Sequence, residues 1–573
     1  MAETAASAPR VPTDRDLVSV QEARRLAEAA KGAATALAEL SQERIDAIVD
    51  RMADAVRPRA EELARLAVEE TGFGVVEDKI RKNLFSSDEV YRFIRPMRTV
   101  GVVHRDEARK IVEIAEPFGV VAAIVPSTNP TSTAIYKILI ALKARCPIVI
   151  SPHPSAVRCI TRVAEVMAEA AAAAGAPPGS ISWMQTVTLE GTQELMKHRA
   201  VAVILATGGM GLVRAAYSAG KPAYGVGPGN APCFIERTAD VPKAVADIIA
   251  GKTFDNGVLC SSPNSVVVDA AVAEGVKRQF ARQDAHFLSR AEADTLAAVL
   301  VTPQRLPNPS LVGKSALEIA SKVGIRVAPS TRVLIAELAG VGRDHPLSIE
   351  KLCPVLSYYV VADWREGCER CIQILRYGGM GHTMSIHSTN EDVILEFGLK
   401  KPAFRIVVNT PTTHGSVGMT TGLDPAMTLG CGGFGGNITS DNIGPRHLLN
   451  IKRLAYETRP VNAPATGRRL DAPRSVPLPK TRTQPPTHEV DAAAMKRQVG
   501  SFLSSAAAAP PTVAPPAASD GQAVAAFVCE DDVKEALKAG RTILVGERTI
   551  ITPSARDLGE ARRVFVQATW PSA

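Results

Sequence analysis

The stretch Lys252-Thr253-Phe254-Asp255-Asn256-Gly257-Val258-Leu259-Cys260, followed by Ser261, Ser262 and Pro263, decides how the rest of the chain is read. A cysteine closes a short turn that contains Gly257. The valine run at 266–268 follows at once, in the pattern of a buried strand. A thiol at such a junction is held rigidly and still faces a cleft. Thiolate is the nucleophilic form, and local amides favour it. The same residue also fits a small hydrophobe packed in a core, a common fate of cysteine. Its surroundings must choose.

Working outward, the chain alternates continuous apolar runs with helical patterns. Strands are predicted at 120–125, 147–150, 181–185 and 201–205, and helices at 131–144, 157–174 and 190–197. Strands without polar alternation, separated by helices, predict an α/β fold with a doubly wound parallel sheet covered on both faces. Nucleotides bind at the strand ends of such sheets. After the strand at 201–205 comes Ala206-Thr207-Gly208-Gly209-Met210-Gly211, and a helix at 212–218. Glycines there let backbone amides approach a pyrophosphate. Arg214 stands where a third fingerprint glycine would be, so bare structural glycines fit equally well. A second strand-end loop is Ile150-Ser151-Pro152-His153-Pro154-Ser155. A second α/β unit is expected over 252–430, with strands at 355–361 and 403–409; beyond it, 447–453 reads as a helix. Upstream, 17–70 and 78–93 read as helical, broken at Gly72 and Gly74. Ser41 with Arg44 three residues on is a weak start signal, because a capping box wants Glu or Gln there. Segments 99–104 and 110–115 read as a hairpin.

Composition bounds the function. The 573 residues are 46% hydrophobic and 22% charged, ordinary for a globular protein of two or more domains. No apolar run is long enough to span a bilayer, and the N-terminus has no secretory-type apolar core, so a cytoplasmic protein is expected, with no membrane partner. Much of the net charge of +7 lies after Pro460, scattered in proline-rich sequence. Such charge solvates, and without aromatic interleaving it argues against a nucleic-acid partner. Nine cysteines show no secreted framework. Cys368 and Cys371 read as one turn of a helix, and no metal constellation is expected. Residues 461–522 form a Pro/Ala-rich linker, interrupted at 490–509 by an island whose Met495, Val499, Phe502 and Leu503 share one helical face. A small folded unit is expected over 523–573, containing Ile551-Thr552-Pro553-Ser554-Ala555-Arg556-Asp557.

The segment FDNGVLCSSPNSVVV resembles the nucleophile segment of CoA-acylating aldehyde dehydrogenases. Further matches are Glu116-Pro117-Phe118-Gly119-Val120, Pro126-Ser127-Thr128-Asn129-Pro130, Gly381-His382-Thr383 and Thr428-Leu429-Gly430-Cys431-Gly432, so the resemblance reaches about Tyr456. It implies an aldehyde dehydrogenase-like fold: an NAD-binding domain over 1–251 with an oligomerisation hairpin at about 99–116, a catalytic cysteine domain over 252–430, and a returning tail over 431–460. It implies Cys260 as nucleophile and Asn129, with the Cys260 amide, as the oxyanion hole. His382 matches a histidine that assists proton transfer or positions CoA, and a structural histidine fits as well. Cofactor contacts are implied for Pro126, Ser127, Thr128, His153, Thr207, Gly208, Gly209, Gly211, Gly225, Gly227 and Gly229. Hydrolytic relatives carry a water-activating glutamate where this chain has Tyr224-Gly225-Val226-Gly227-Pro228-Gly229-Asn230. CoA's thiol needs less activation than water, which favours a thioester product. The expected partners are NAD, CoA and a short aldehyde: acetaldehyde, propionaldehyde and sulfoacetaldehyde all fit. A homodimer or homotetramer is implied. The ITPSARD stretch resembles enzymes of bacterial microcompartments, which suggests shell proteins as partners of the tail. A hydrolytic, acid-forming dehydrogenase and a non-catalytic scaffold are the competing readings.

Overall fold

Strands apolar on both faces must be covered on both faces, and the chain does this twice. The structure is a computed structural model that describes residues 14–462, 525–551, 555, 558–559 and 562–567. It divides into two units, Met1–Ala463 and Pro464–Ala573. The expected linker helix at 490–509 lies outside the described residues.

Helices come first, and local signals set their ends. Arg15–Ala38 is capped by the Asp14 carboxylate, and Gln42–Val56 by Ser41, whose hydroxyl accepts from the Arg44 amide at 3.4 Å. The weak Ser41 signal therefore marks a real cap without the reciprocal glutamate. Ala60–Thr71 ends at Gly72, which takes the left-handed conformation (φ 68°) that glycine adopts without penalty. Val76–Leu84 then continues through a π-helical segment, Phe85–Val90.

Strands β1 (Gly101–Asp106) and β2 (Ile111–Pro117) make the expected antiparallel hairpin, with its turn at 107–110. The outer edge of β2 is taken by a strand, Leu449–Ala455, antiparallel in the register Leu449↔Pro117 to Ala455↔Ile111. The helix expected over 447–453 is thus corrected: a short 3₁₀ turn, Pro445–Leu448, leads into a strand. Leu449 and Ile451 alternate with Asn450 and Lys452, and pairing satisfies the backbone groups that β2 would otherwise leave open.

The first parallel sheet contains β3 (Val120–Val125), β4 (Ile148–Pro152), β5 (Ile181–Trp183), β6 (Val201–Thr207) and β7 (Ala223–Val226), in the order β5-β4-β3-β6-β7. Strand order reverses between β3 and β6, so the crevice at their carboxyl ends is a switch point of the kind where nucleotides bind. The second sheet holds seven parallel strands: β8 (Ala231–Ile235), β9 (Pro263–Asp269), β10 (Ala285–Phe287), β11 (Val333–Glu337), β12 (Val355–Val361), β13 (Gly381–His387) and β14 (Ala403–Val408). Their order is β10-β11-β12-β9-β8-β13-β14. This sheet takes in β8 and is covered by the helix Val241–Thr253, and both begin ahead of residue 252, where the sequence placed the start of the second unit. Strand pairing of β8 with β9 assigns that material, and local pattern carries no trace of it. The strand Leu449–Ala455 is β15.

The second unit is a small parallel sheet, β16 (Ala525–Val528), β17 (Ile543–Ile551) and β18 (Phe565–Gln567), with the helix Glu530–Lys538 after β16. Val528, Val533, Ala536, Val545 and Val564 form its core.

Candidate active site

At the switch point the loops after β3 and β6 open a cavity of about 460 Å³, within the range of small-molecule sites. Its walls include Pro126, Ser127, Thr128 and Asn129 after β3, His153 after β4, and Thr207, Gly208 and Gly209 after β6, with Gly227 after β7. Cys260 and Glu350 reach it from the sequence of the second sheet. The residues present suit a dinucleotide on two counts. A methyl group placed on Gly209 would meet nothing within 4 Å, so packing does not require that glycine, whereas a closely approaching ligand would. The helix Met210–Tyr217 begins there without a side-chain cap, and the Thr207 Oγ1 beside it has no partner among the described residues.

Cys260 is delivered by a turn in an uncommon conformation. Phe254–Gly257 forms a 3₁₀ segment in which Asp255 (φ 51°) and Asn256 (φ 52°) are both left-handed. Contacts hold them there: the Asp255 amide donates to Asp78 Oδ2 at 2.8 Å, Asp255 Oδ1 accepts from the Val75 amide at 2.7 Å, and Asn256 Nδ2 donates to the Gly313 carbonyl at 2.9 Å. Cys260 keeps partial exposure to the cavity. Burial nonetheless pushes its thiol up to about 12, with smaller upward pushes from Glu350 and Cys431 and a downward one from Arg405. The thiol form therefore dominates at neutral pH. Cys431 is buried, and that burial pushes it up to about 11.

Asn129 faces the same loop. It stands at the N-terminus of the helix Pro130–Lys143 but makes no capping bond. Its Nδ2 donates to Thr128 Oγ1 at 3.2 Å and to the Val258 carbonyl at 3.4 Å, and its Oδ1 accepts from Lys82 Nζ at 2.5 Å.

His382 lies behind the nucleophile loop, away from the cavity wall. A methyl on Gly229 would sit 2.1 Å from the Cys260 carbonyl oxygen and 3.2 Å from His382 Cγ, so only glycine lets the three stack. His382 Nδ1 is 2.9 Å from Thr383 Oγ1, and Nε2 has no partner among the described residues. Burial, then the Arg405 charge, pushes the imidazole down to about 3, so it is neutral.

The expected cofactor residues thus separate into groups. Pro126, Ser127, Thr128, His153, Thr207, Gly208, Gly209 and Gly227 line one cavity with Cys260 and Asn129. Gly211 lies one residue into the helix, outside the lining. Gly225 makes room for Val213 and Tyr217, which a methyl would meet at 2.8 and 3.0 Å. Gly229 packs under Cys260.

Residues 12–304 match the aldehyde dehydrogenase family. The chain belongs to that family. The bifunctional aldehyde-alcohol dehydrogenase of Escherichia coli (strain K12) is 41% identical over 444 residues, covering 77% of this family member and 50% of the relative. The chain spans about half the length of the curated relatives it matches first. The crystal structure of an acetylating aldehyde dehydrogenase from Geobacillus thermoglucosidasius is 49% identical with a TM-score of 0.77, over 78% of this chain and 99% of that one. A propionaldehyde dehydrogenase from the fucose utilisation microcompartment of Clostridium phytofermentans is 28% identical with a TM-score of 0.69, over 76% and 97%. The two parallel sheets are this family's α/β architecture.

Two parts of the site escape a reading of the sequence. Glu350 brings a carboxylate to the cavity, accepting from the Gly229 amide at 2.9 Å, and burial raises it to about 8. Lys82 and Lys79 both reach Asp255 from the helix Val76–Leu84. Only the lysine spacing within a helix was legible, and that signals nothing about a partner 173 residues away.

Proposed function

We propose that this chain oxidises a short-chain aldehyde to its CoA thioester with NAD. The observation that carries the proposal is one cavity bounded by the Cys260 thiol, the Asn129 amide and an open glycine turn at a helix N-terminus. Cys260 Sγ attacks the aldehyde carbon and forms a thiohemiacetal. Asn129 Nδ2 and the Cys260 amide are the donors for its oxyanion, the type of contact whose removal costs roughly 2.7–4 kcal/mol. NAD held along Thr207, Gly208 and Gly209 supplies the hydride acceptor. Cys260 then carries the acyl group as a thioester, which the CoA thiolate cleaves, freeing the sulfur. His382, neutral, behind the loop and pushed down to about 3, is too weak a base to take the Cys260 proton, and its part in the proposal is to back the nucleophile loop.

Glu350 is the observation that favours the hydrolytic alternative, since it places a carboxylate in the cavity. Its carboxyl accepts from the Gly229 amide, and with its pKa raised to about 8 it is mostly protonated at neutral pH, so little carboxylate stands ready to activate water. NADH formation over short aldehydes, with and without CoA, and mass spectrometry of the product separate the two: acyl-CoA supports the proposal, and free acid formed equally without CoA refutes it.

Association into dimers or tetramers is part of the same proposal. Edge strand β14 turns Phe404 and Val408 outward, and edge strand β15 exposes Leu454, the kind of edge that pairs with another chain. No described helix is long and apolar enough to cross a membrane. Docking of the tail onto a microcompartment shell rests on the helical spacing of apolar residues in the sequence at 495–503 and on the ITPSARD resemblance, and the similarity to a microcompartment enzyme favours it. A chain ending at Arg459 is expected to keep its specific activity and lose co-purification with shell proteins. Loss of activity with shell association unchanged would make the tail structural.

A further inference from the structure

We infer that Lys82 is a positioning residue for the proposed reaction: its ammonium fixes and polarises the Asn129 amide so that Nδ2 faces the thiohemiacetal oxygen. The inference rests on the roles proposed for Cys260 and Asn129 and adds what aligns them.

Asparagine at a helix N-cap ordinarily bonds the first free amides of the helix. Asn129 does not. Its Oδ1 instead accepts from Lys82 Nζ at 2.5 Å. An ammonium only donates, so the amide's oxygen end must face Lys82 and its NH₂ end must face the other way. That end points toward the nucleophile loop, where its bond to the Val258 carbonyl is long, at 3.4 Å. A long bond leaves donor capacity for an oxyanion.

Lys82 is itself held firmly. Its side chain is 1% exposed, and Nζ also donates to Asp255 Oδ2. One ammonium therefore touches both the oxyanion donor and the turn that delivers Cys260. Asp255 is left-handed there, a conformation that persists only where neighbours over-determine it. Lys79 Nζ reaches the same Asp255 oxygen at 3.0 Å and the Thr128 carbonyl at 3.2 Å. Lys79 already gives Asp255 one buried counter-charge, so the Lys82 ammonium is shared between Asp255 and the Asn129 amide. Burial pushes Lys82 down to about 8, and Asp255 resists that fall, so the ammonium persists at neutral pH. A positive charge behind the amide strengthens its N–H donors.

The test is a double-mutant cycle read on NADH formation, with CoA saturating. Asn129→Ala is expected to lower kcat by about 10²–10³-fold. Lys82→Met is expected to lower it ten- to a hundredfold with KM for NAD within threefold. In the Asn129→Ala background Lys82→Met is expected to cost less than threefold, because its effect passes through that amide. Losses that multiply in full would mark Lys82 as structural and overturn the inference, as would a Lys82→Met enzyme within threefold of the parent. If Asn129→Ala alone keeps the parental rate, the oxyanion role of Asn129 is what fails, and the inference falls with it. Should Lys82→Met not fold, Lys82→Gln, which keeps a donor at Oδ1 without the charge, runs the same cycle with the same criteria.

Discussion

Replacing Gly229 with alanine probes how tightly the nucleophile loop is held. Gly229 does not need a left-handed backbone, so alanine brings no dihedral strain, only a methyl group. That methyl would lie 2.1 Å from the Cys260 carbonyl oxygen, and real Cβ atoms essentially never come within 3.0 Å of another heavy atom. The loop must therefore retreat by about 0.9 Å, and His382, 3.2 Å away, blocks the other direction. Overpacking of this kind costs about 1–3 kcal/mol of stability. Its effect on rate is larger, because a displacement of about 1 Å at the reacting atoms costs on the order of a hundredfold, or roughly 2.7 kcal/mol of barrier. The same shift weakens the hydrogen bond from the Gly229 amide to Glu350. Stopped-flow NADH formation should fall about a hundredfold in kcat, while the NAD dissociation constant, read by fluorescence, stays within threefold. Denaturant unfolding gives the stability change separately. A Gly229→Ala enzyme with parental kcat and parental stability would refute the packing of Cys260 against Gly229 and His382.

Cys260→Ala should abolish both NADH formation and acyl transfer, since both pass through the sulfur; retained turnover would move attention to Cys431. Gly209→Ala should fold normally, because nothing lies within 4 Å of the added methyl, and should raise KM for NAD tenfold or more; an unchanged KM would remove the glycine turn from the cofactor site. The Cys260 thiol, held up to about 12 by burial, should react with iodoacetamide about tenfold faster per pH unit from 7 to 9, since thiolate is the reactive form and its fraction rises with pH below the pKa. A plateau below pH 9 would show that the free enzyme already holds a thiolate.

Much of the architecture was legible because it is written locally. Continuous apolar runs such as 120–125 and 201–205 cannot rest at a surface, so a sheet covered on both faces follows from them. The strand-to-helix turn at Thr207-Gly208-Gly209 and the cysteine after Asp255-Asn256-Gly257 are contiguous, and each falls where its pattern places it. Local patterns also misled. Leu449–Ala455 is a strand because β2 offers an open edge 332 residues earlier, at the Leu449↔Pro117 pair. β8 belongs with β9 for the same reason. What only the tertiary structure decided are the groups that aim the chemistry. Lys82 meets Asn129 across 47 residues and Asp255 across 173, and Glu350 meets Gly229 across 121. Each is an ordinary charged residue in its own stretch of sequence. Burial beside a specific partner turns it into an aligned amide, a neutralised turn or a carboxyl group held protonated near neutral pH, because charges out of water must find partners and those partners come from wherever the fold brings them.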